Sequence, residues 1–250
     1  MMRLLLFLLT ISAFGWSTAQ TTPDLIPAEQ SDIKIQPITH GSLILEWNGE
    51  VIYIDPYGGG SMYEGQKPPS MILITDIHGD HLNMKTLEAI DTDNAKFIVP
   101  QAVKDQLPEA FHKNLFTLAN GESRKVNDIS IAALPMYNLP ESPDSRHTKG
   151  RGNGYIIDLG GKKVYISGDT EDIPEMRALD NIDVAFVCMN LPYTMDINQA
   201  ASAVLAFKPK IVYPFHYRGQ GGLADTEQFK KLVNEGDSSI DVRLRNWYPE

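Results

Sequence analysis

Most of the chain reads as short apolar runs separated by turns rich in Gly, Pro, Asn and Asp. Residues 33–38 (IKIQPI) alternate weakly, and residues 42–47 (SLILEW) and 51–54 (VIYI) flank Asn48-Gly49-Glu50, the pattern of a hairpin. Residues 55–61 (DPYGGGS) end the second of these strands, because proline and three glycines cannot continue a ladder. Residues 71–75 predict the next strand. Residues 81–90 predict a helix on the spacing of Leu82, Leu87 and Ile90. A strand over 96–99 then ends at Pro100, and residues 103–111 predict a short helix interrupted by proline.

The second half repeats this texture. Strands are predicted over 129–134, 155–159 and 163–167, the last two joined by Gly160-Gly161, with helical turns over 174–179 and a strand over 184–189. Residues 196–207 give the clearest helix: Asp196 is placed to cap it, and Ile197, Ala201, Val204 and Leu205 share a face. A strand over 210–214 leads into Phe215-His216-Tyr217. Strand-rich halves with helices after particular strands predict an α/β fold of two mixed β-sheets covered by helices, as one domain over residues 32–250.

The first residues have another pattern. A short basic start (MMR) precedes an apolar run over residues 4–16, and Ser17-Thr18-Ala19 offers small residues before Gln20. This is the layout of a cleavable secretory signal over residues 1–19. The run is shorter than the roughly 20 apolar residues a membrane span needs, and no cysteine follows it for lipid attachment. The reading is an exported protein, periplasmic or secreted, with no stable span once the leader is gone. Residues 20–31 are expected to be a linker, with residues 21–27 as its leash.

Composition supports a sizeable core, with 42% hydrophobic residues among 250, and no internal repeat argues for a solenoid or propeller. The formal charge is −10, and loss of Arg3 with the leader makes it one unit more negative. Such a chain repels a phosphate backbone, and no basic stripe compensates, so nucleic acid is excluded as a partner. Cys188 is the only cysteine, so no internal disulfide exists; its apolar surroundings predict a core residue.

Candidate chemistry centres on Thr75 to Asn83 (TDIHGDHLN), where two histidines and two aspartates follow a predicted buried strand. His78, His81 and His216 all fall at strand ends, as does Asp169 in Ser167-Gly168-Asp169-Thr170. Loops converge at strand ends, and a divalent metal needs several imidazoles and carboxylates that one loop rarely supplies. Asp76-x-His78-x-Asp80-His81, then His147, Asp169 and His216, resembles in order and spacing the metallo-β-lactamase fold superfamily. Within it the chain is similar to the single-domain hydrolases that include the ascorbate-phosphate lactonases. The resemblance runs from His40-Gly41-Ser42-Leu43 to Tyr217, supported by residues 51–56 (VIYIDP), 149–158 (KGRGNGYIID) and 190–195 (NLPYTM).

That resemblance implies a four-layer αββα sandwich with one or two divalent ions at the shared edge of the sheets. Asp76, His78 and His147 would hold the first ion, Asp80, His81 and His216 the second, and Asp169 would bridge them. Asp55 would orient a ligand histidine from behind. Zinc is the leading expectation. The family pattern usually begins with histidine, however, and the Asp76 carboxylate also suits manganese or iron. His40 fits either a hydrogen bond at the core's edge or the pocket; Tyr193, Tyr217 and Arg218 are candidates for the pocket mouth, and His112 is expected to be exposed.

The implied activity is hydrolysis of a small-molecule ester, lactone or phosphodiester by hydroxide formed from metal-activated water, with Asp80 as a possible proton acceptor. Three alternatives compete, one of them a nuclease of the same fold, which would need an added clamp domain for which 250 residues leave little room. A β-lactamase-type amide hydrolase of the most familiar subclass carries cysteine where Asp169 stands, and a module that lost catalysis while keeping metal or partner binding would be consistent with Asp76. The sequence sets neither the substrate nor an oligomeric state.

Overall fold

The computed structural model describes residues 22–248, and the leader expected over residues 1–19 lies outside them. Two seven-stranded sheets form the body. In the first, strands β1 (Asp24–Ile26), β2 (Ile33–Thr39), β3 (Ser42–Trp47), β4 (Glu50–Ile54), β5 (Met71–Leu73), β6 (Lys96–Val99) and β7 (Leu115–Thr117) lie in chain order. In the second, β8 (Ser123–Val126), β9 (Ile129–Met136), β10 (Gly152–Leu159), β11 (Lys162–Ile166), β12 (Val184–Cys188) and β13 (Ile211–Phe215) follow one another, and β16 (Asp241–Val242) adds beyond β13. A small hairpin, β14 (Arg218–Gly219) and β15 (Gly222–Leu223), stands apart. Both sheets begin antiparallel and turn parallel, at β4–β5 and at β11–β12.

The apolar runs are nearly continuous because the first sheet is covered on both faces. Leu43, Leu45, Ile52, Ile54, Met71, Leu73 and Ile98 pack into the central core with residues of the second sheet. Their neighbours Ile44, Val51, Tyr53, Ile72, Phe97 and Val99 face the other way, against Leu82, Leu87, Val103 and Leu107. That period-two division is the strand's own geometry. Helices α1 (Met84–Leu87) and α2 (Gln101–Lys104) lie on the outer side of this sheet, and α3 (Pro174–Arg177), α4 (Ile197–Phe207) and α5 (Thr226–Gly236) belong to the second half. The α4 cap is reciprocal: Asp196 accepts from Gln199 N at 2.8 Å and Gln199 accepts from Asp196 N at 2.9 Å.

Several expectations change. The helix over 81–90 contracts to α1, because Asn83 caps it by accepting from Thr86 N, leaving the preceding residues as turns that carry side chains elsewhere. The helix over 103–111 divides at Pro108 into α2 and a 3-10 turn, Glu109–Asn114. Inside the expected leash, β1 pairs with β2 and buries Ile26. The β10 strand begins at Gly152 instead of 155. Its glycines look like breakers, but a Cβ on Gly152 would meet the Thr75 carbonyl at 2.8 Å, so the strand needs them for close approach. His112 is half-buried, its Nε2 2.9 Å from the Leu107 carbonyl. Cys188 is fully buried in β12, and burial pushes its thiol up to about 11, far from a reactive thiolate. Among the described residues no helix is long and apolar enough to cross a membrane.

Candidate metal centre

The chemistry-bearing residues follow strand ends on one edge. His40 follows β2, Asp55 follows β4, Asp76 to His81 follow β5, His147 lies between β9 and β10, Asp169 follows β11 and His216 follows β13. The backbone is bent hard at three of them: His40, Asp55 and His216 have φ of 54°, 43° and 47°. Non-glycine residues hold such angles only where the surroundings impose them, and they cluster at functional sites. His40 N donates to the Trp247 carbonyl and His216 N to the His40 carbonyl, both at 3.0 Å. Gly41 is required between them, since a Cβ there would lie 2.9 Å from Cδ2 of the His216 ring.

Asp55 is the buried anchor of the β5 loop. Its Oδ1 accepts from Thr75 N at 2.7 Å, and its Oδ2 accepts from Thr75 Oγ1 at 2.6 Å and lies 2.8 Å from His81 Nδ1. With the proton on His81 Nδ1, Nε2 presents a lone pair to the centre, the tautomer a metal ligand needs. His147 is set by a residue the sequence reading did not single out. Its N donates to Asn138 Oδ1 at 2.8 Å, and Asn138 also donates to the Tyr193 carbonyl and Glu171.

The side chains form two overlapping clusters. Asp169 Oδ2 lies 3.4 Å from His81 Nε2 and 3.3 Å from His147 Nε2, while its Oδ1 lies 3.4 Å from His216 Nε2. Asp80 Oδ2 lies 3.4 Å from His216 Nε2, and Asp80 Oδ1 lies 4.0 Å from His81 Nε2. Asp76 Oδ2 is 2.5 Å from His78 Nδ1 and 3.9 Å from His147 Nε2. Donors bonded to one tetrahedral ion at about 2.1 Å stand about 3.4 Å apart, close to the spacing around Asp169. The buried atoms His81 Nε2, His147 Nε2, His216 Nε2 and Asp169 Oδ1 have no hydrogen-bond partner. Buried polar atoms are rarely left so, and here they converge on shared points instead of on each other. The donor set therefore fits divalent ions, with Asp76, His78 and His147 around one point and Asp80, His81, Asp169 and His216 around the other.

Charges are strongly coupled. Burial alone would raise Asp169, but the positive fields of His216 and His81 hold its carboxyl well below the usual range. Burial alone would lower His81, yet Asp169 and Asp55 raise it well above 6.5. For Asp80 the histidines at positions 216 and 40 likewise outweigh burial and hold it low. A raised histidine contributes stability that is fully present below its unfolded value and lost as pH rises through its folded value, so the fold favours the protonated form of His81. Metal binding needs neutral imidazole and must expel that proton, so affinity should rise with pH through this region. Calorimetry at pH 7 in buffers of different ionisation enthalpy should show proton release on binding; a buffer-independent enthalpy would refute this.

Around the ligands, His40 stacks against His216 with ring centroids 3.8 Å apart. Its Nε2 is 3.2 Å from Asp80 Oδ2 and its Nδ1 2.7 Å from the Tyr248 hydroxyl. His40 thus belongs to the site's wall, and burial lowers its pKa, keeping it neutral. Arg218 lies over the Tyr248 ring at 4.1 Å, and Arg146, next to His147, over Tyr193 at 4.4 Å. Gln220 donates to the Tyr193 hydroxyl at 2.9 Å. Tyr217, expected at the mouth, is instead turned into the core, because alternation after His216 sends it to the opposite face; its hydroxyl donates to the Arg245 carbonyl at 3.2 Å. Arg151, also missed, donates from Nε and Nη2 to the two Asp76 oxygens at 3.2 and 3.1 Å. Its presence follows from burial: a buried aspartate in place of a neutral histidine demands a counter-charge. An apolar cavity of about 260 Å³, lined by Met189, Leu191, Met195 and Leu223, adjoins this edge through Met189, whose N donates to the His216 carbonyl.

Two sheets with candidate metal-binding His/Asp loops at their shared edge match the class of metallo-β-lactamase-fold proteins. Residues 34–216 match the beta-lactamase superfamily domain, and the chain belongs to that superfamily. It is 30% identical over 224 residues to a UPF0173 metal-dependent hydrolase of Pyrococcus abyssi, covering 85% of this chain and 96% of the relative. Among solved structures it is 37% identical, with a TM-score of 0.78, to a protein of Parabacteroides distasonis described as a metal-dependent hydrolase, covering 89% of this chain and 97% of that one. A metallo hydrolase of Ignicoccus hospitalis is 28% identical with a TM-score of 0.72, covering 86% and 95% respectively. The fold and family expected from the motifs are thereby borne out.

Proposed function

We propose that this metal-dependent hydrolase cleaves a small anionic ester, lactone or phosphodiester at the centre built on Asp169. The observation that carries the reading is the convergence of buried, otherwise unpartnered His81, His147, His216 and Asp169 atoms on shared points. Divalent ions bound there supply Lewis acidity and lower the pKa of water. The protein's own residues do the rest. His81 is held in its ligating tautomer by Asp55. Asp80 is the most exposed of the ligand carboxylates at 29%, and His40 Nε2 stands 3.2 Å from its Oδ2 and orients it. Zinc is the favoured ion, with manganese or iron suited to the Asp76 carboxylate.

The anionic preference rests on the rim. The chain carries −10 overall, yet Arg146 and Arg218 sit beside His147 and His216 and, among the described residues, neither has a carboxylate partner. Matched anionic and neutral carboxyl esters, lactones and phosphodiesters should show metal-dependent turnover of an anionic member. Arg218→Glu should raise its KM about tenfold or more with a smaller change in kcat, the scale of one lost charge-assisted contact. Bound metal without turnover on the whole panel would overturn the enzymatic reading in favour of a binding module. We further propose export of the chain, resting on the leader-like residues 1–19; protein from the native host should begin near Gln20, and an intact Met1 would refute it.

A further inference from the structure

The two clusters differ in one permanent charge. Both oxygens of Asp76 are taken by the Arg151 guanidinium. The oxygen that accepts from Nη2, Oδ2, is also the one that faces His78 Nδ1 and His147 Nε2. Asp76 is fully buried and the Arg151 side chain only 20% exposed, so solvent screens this pair weakly. Arginine stays protonated at any working pH. The other cluster has no such cation: among the described residues, the ion-pair partners of Asp80, Asp169 and Asp55 are all histidines.

Charge counting then separates the clusters. Around His81 and His216, the Asp80 and Asp169 carboxylates offer two negative charges without a fixed cation. Around His78 and His147, the Asp76 charge is already balanced by Arg151, leaving only the share contributed by Asp169. The pair occupies the place of the family's first histidine as a neutral unit, but one of its members repels any dication that approaches Oδ2. Carboxylate orientation acts the other way, since Arg151 also holds Oδ2 in place. Repulsion between a guanidinium and a dication sharing one buried oxygen outweighs the loss of a rotamer constraint.

We propose that Arg151 makes the two metal positions unequal: the position of Asp80, His81, Asp169 and His216 takes its ion tightly, and the position of Asp76, His78 and His147 takes one weakly and exchangeably. The inference rests on the metal-centre reading above and goes beyond it in assigning Arg151 the control of occupancy. Arg151 is a positioning residue, acting through Asp76.

Equilibrium dialysis of the metal-free full chain against Mn2+ and, separately, Zn2+ tests it. The wild type should bind one tight equivalent and a second at least tenfold more weakly. Arg151→Met should tighten the second equivalent at least tenfold, whereas Arg151→Lys, which keeps the charge, should retain the wild-type asymmetry. The metal-free Arg151→Met protein buries an unbalanced carboxylate, so added Mn2+ should raise its Tm by more than it raises that of the wild type. Asp76→Asn offers a test that does not depend on the folding of that variant: it should lose the weak equivalent and keep the tight one within threefold. Equal affinities in the wild type, or loss of the second equivalent in Arg151→Met, would overturn the proposal. So would loss of the tight equivalent in Asp76→Asn. A wild type that binds neither ion would instead overturn the metal-centre reading itself.

Discussion

Replacing Asp169 by alanine should lower kcat/KM at least about a thousandfold and leave no more than one metal equivalent bound. Its two oxygens face His81, His147 and His216 at 3.3–3.4 Å, so it is the one side chain common to both ligand clusters. An ion's stabilisation of developing charge is worth several kcal/mol, and each 1.36 kcal/mol is tenfold in rate, which gives about three orders of magnitude for its loss or displacement. Asp169→Asn separates charge from shape, because it keeps the side chain's outline while removing the field that raises His81. Two retained equivalents by elemental analysis, with a rate within tenfold of wild type, would refute the central role.

Asp55→Ala should act at a distance from the reacting groups and still be severe. Three hydrogen-bonding groups, Thr75 N, Thr75 Oγ1 and His81 Nδ1, lose their common acceptor inside the protein. Breaking a buried, hydrogen-bonded ion pair from one side costs about 3–5 kcal/mol. The histidine also loses the partner that selects its tautomer, an effect worth about 10–100-fold in metal affinity. Denaturant unfolding of the metal-free protein, together with metal titration, reads the two effects separately. Unchanged metal affinity alongside reduced stability would leave Asp55 as a packing residue only.

What could be read in advance was whatever depended on local pattern. The runs around Ile44, Ile52 and Ile72 predict strands because they are apolar on both faces, and both faces are covered. The motif histidines and aspartates fall at strand ends because glycine, proline and aspartate terminate those runs nearby. Long-range balance was not legible. Nothing near Asp76 in sequence announces Arg151, 75 residues away, and Tyr248 bears on the site through His40, 208 positions away. The α5 helix escaped notice because only Phe229 and Val233 of its residues are buried, too thin a stripe to stand out among lysines and glutamates. Tyr217 was misplaced because being adjacent to a ligand says little about direction in a strand-like segment, where neighbours point to opposite faces.

The tie between His40 and Tyr248 spans 208 positions of the chain. His40 also takes the Trp247 carbonyl through its backbone and supports both Asp80 and His216. During synthesis, therefore, this part of the pocket wall cannot close until Tyr248 has been delivered, however early the first histidines emerge.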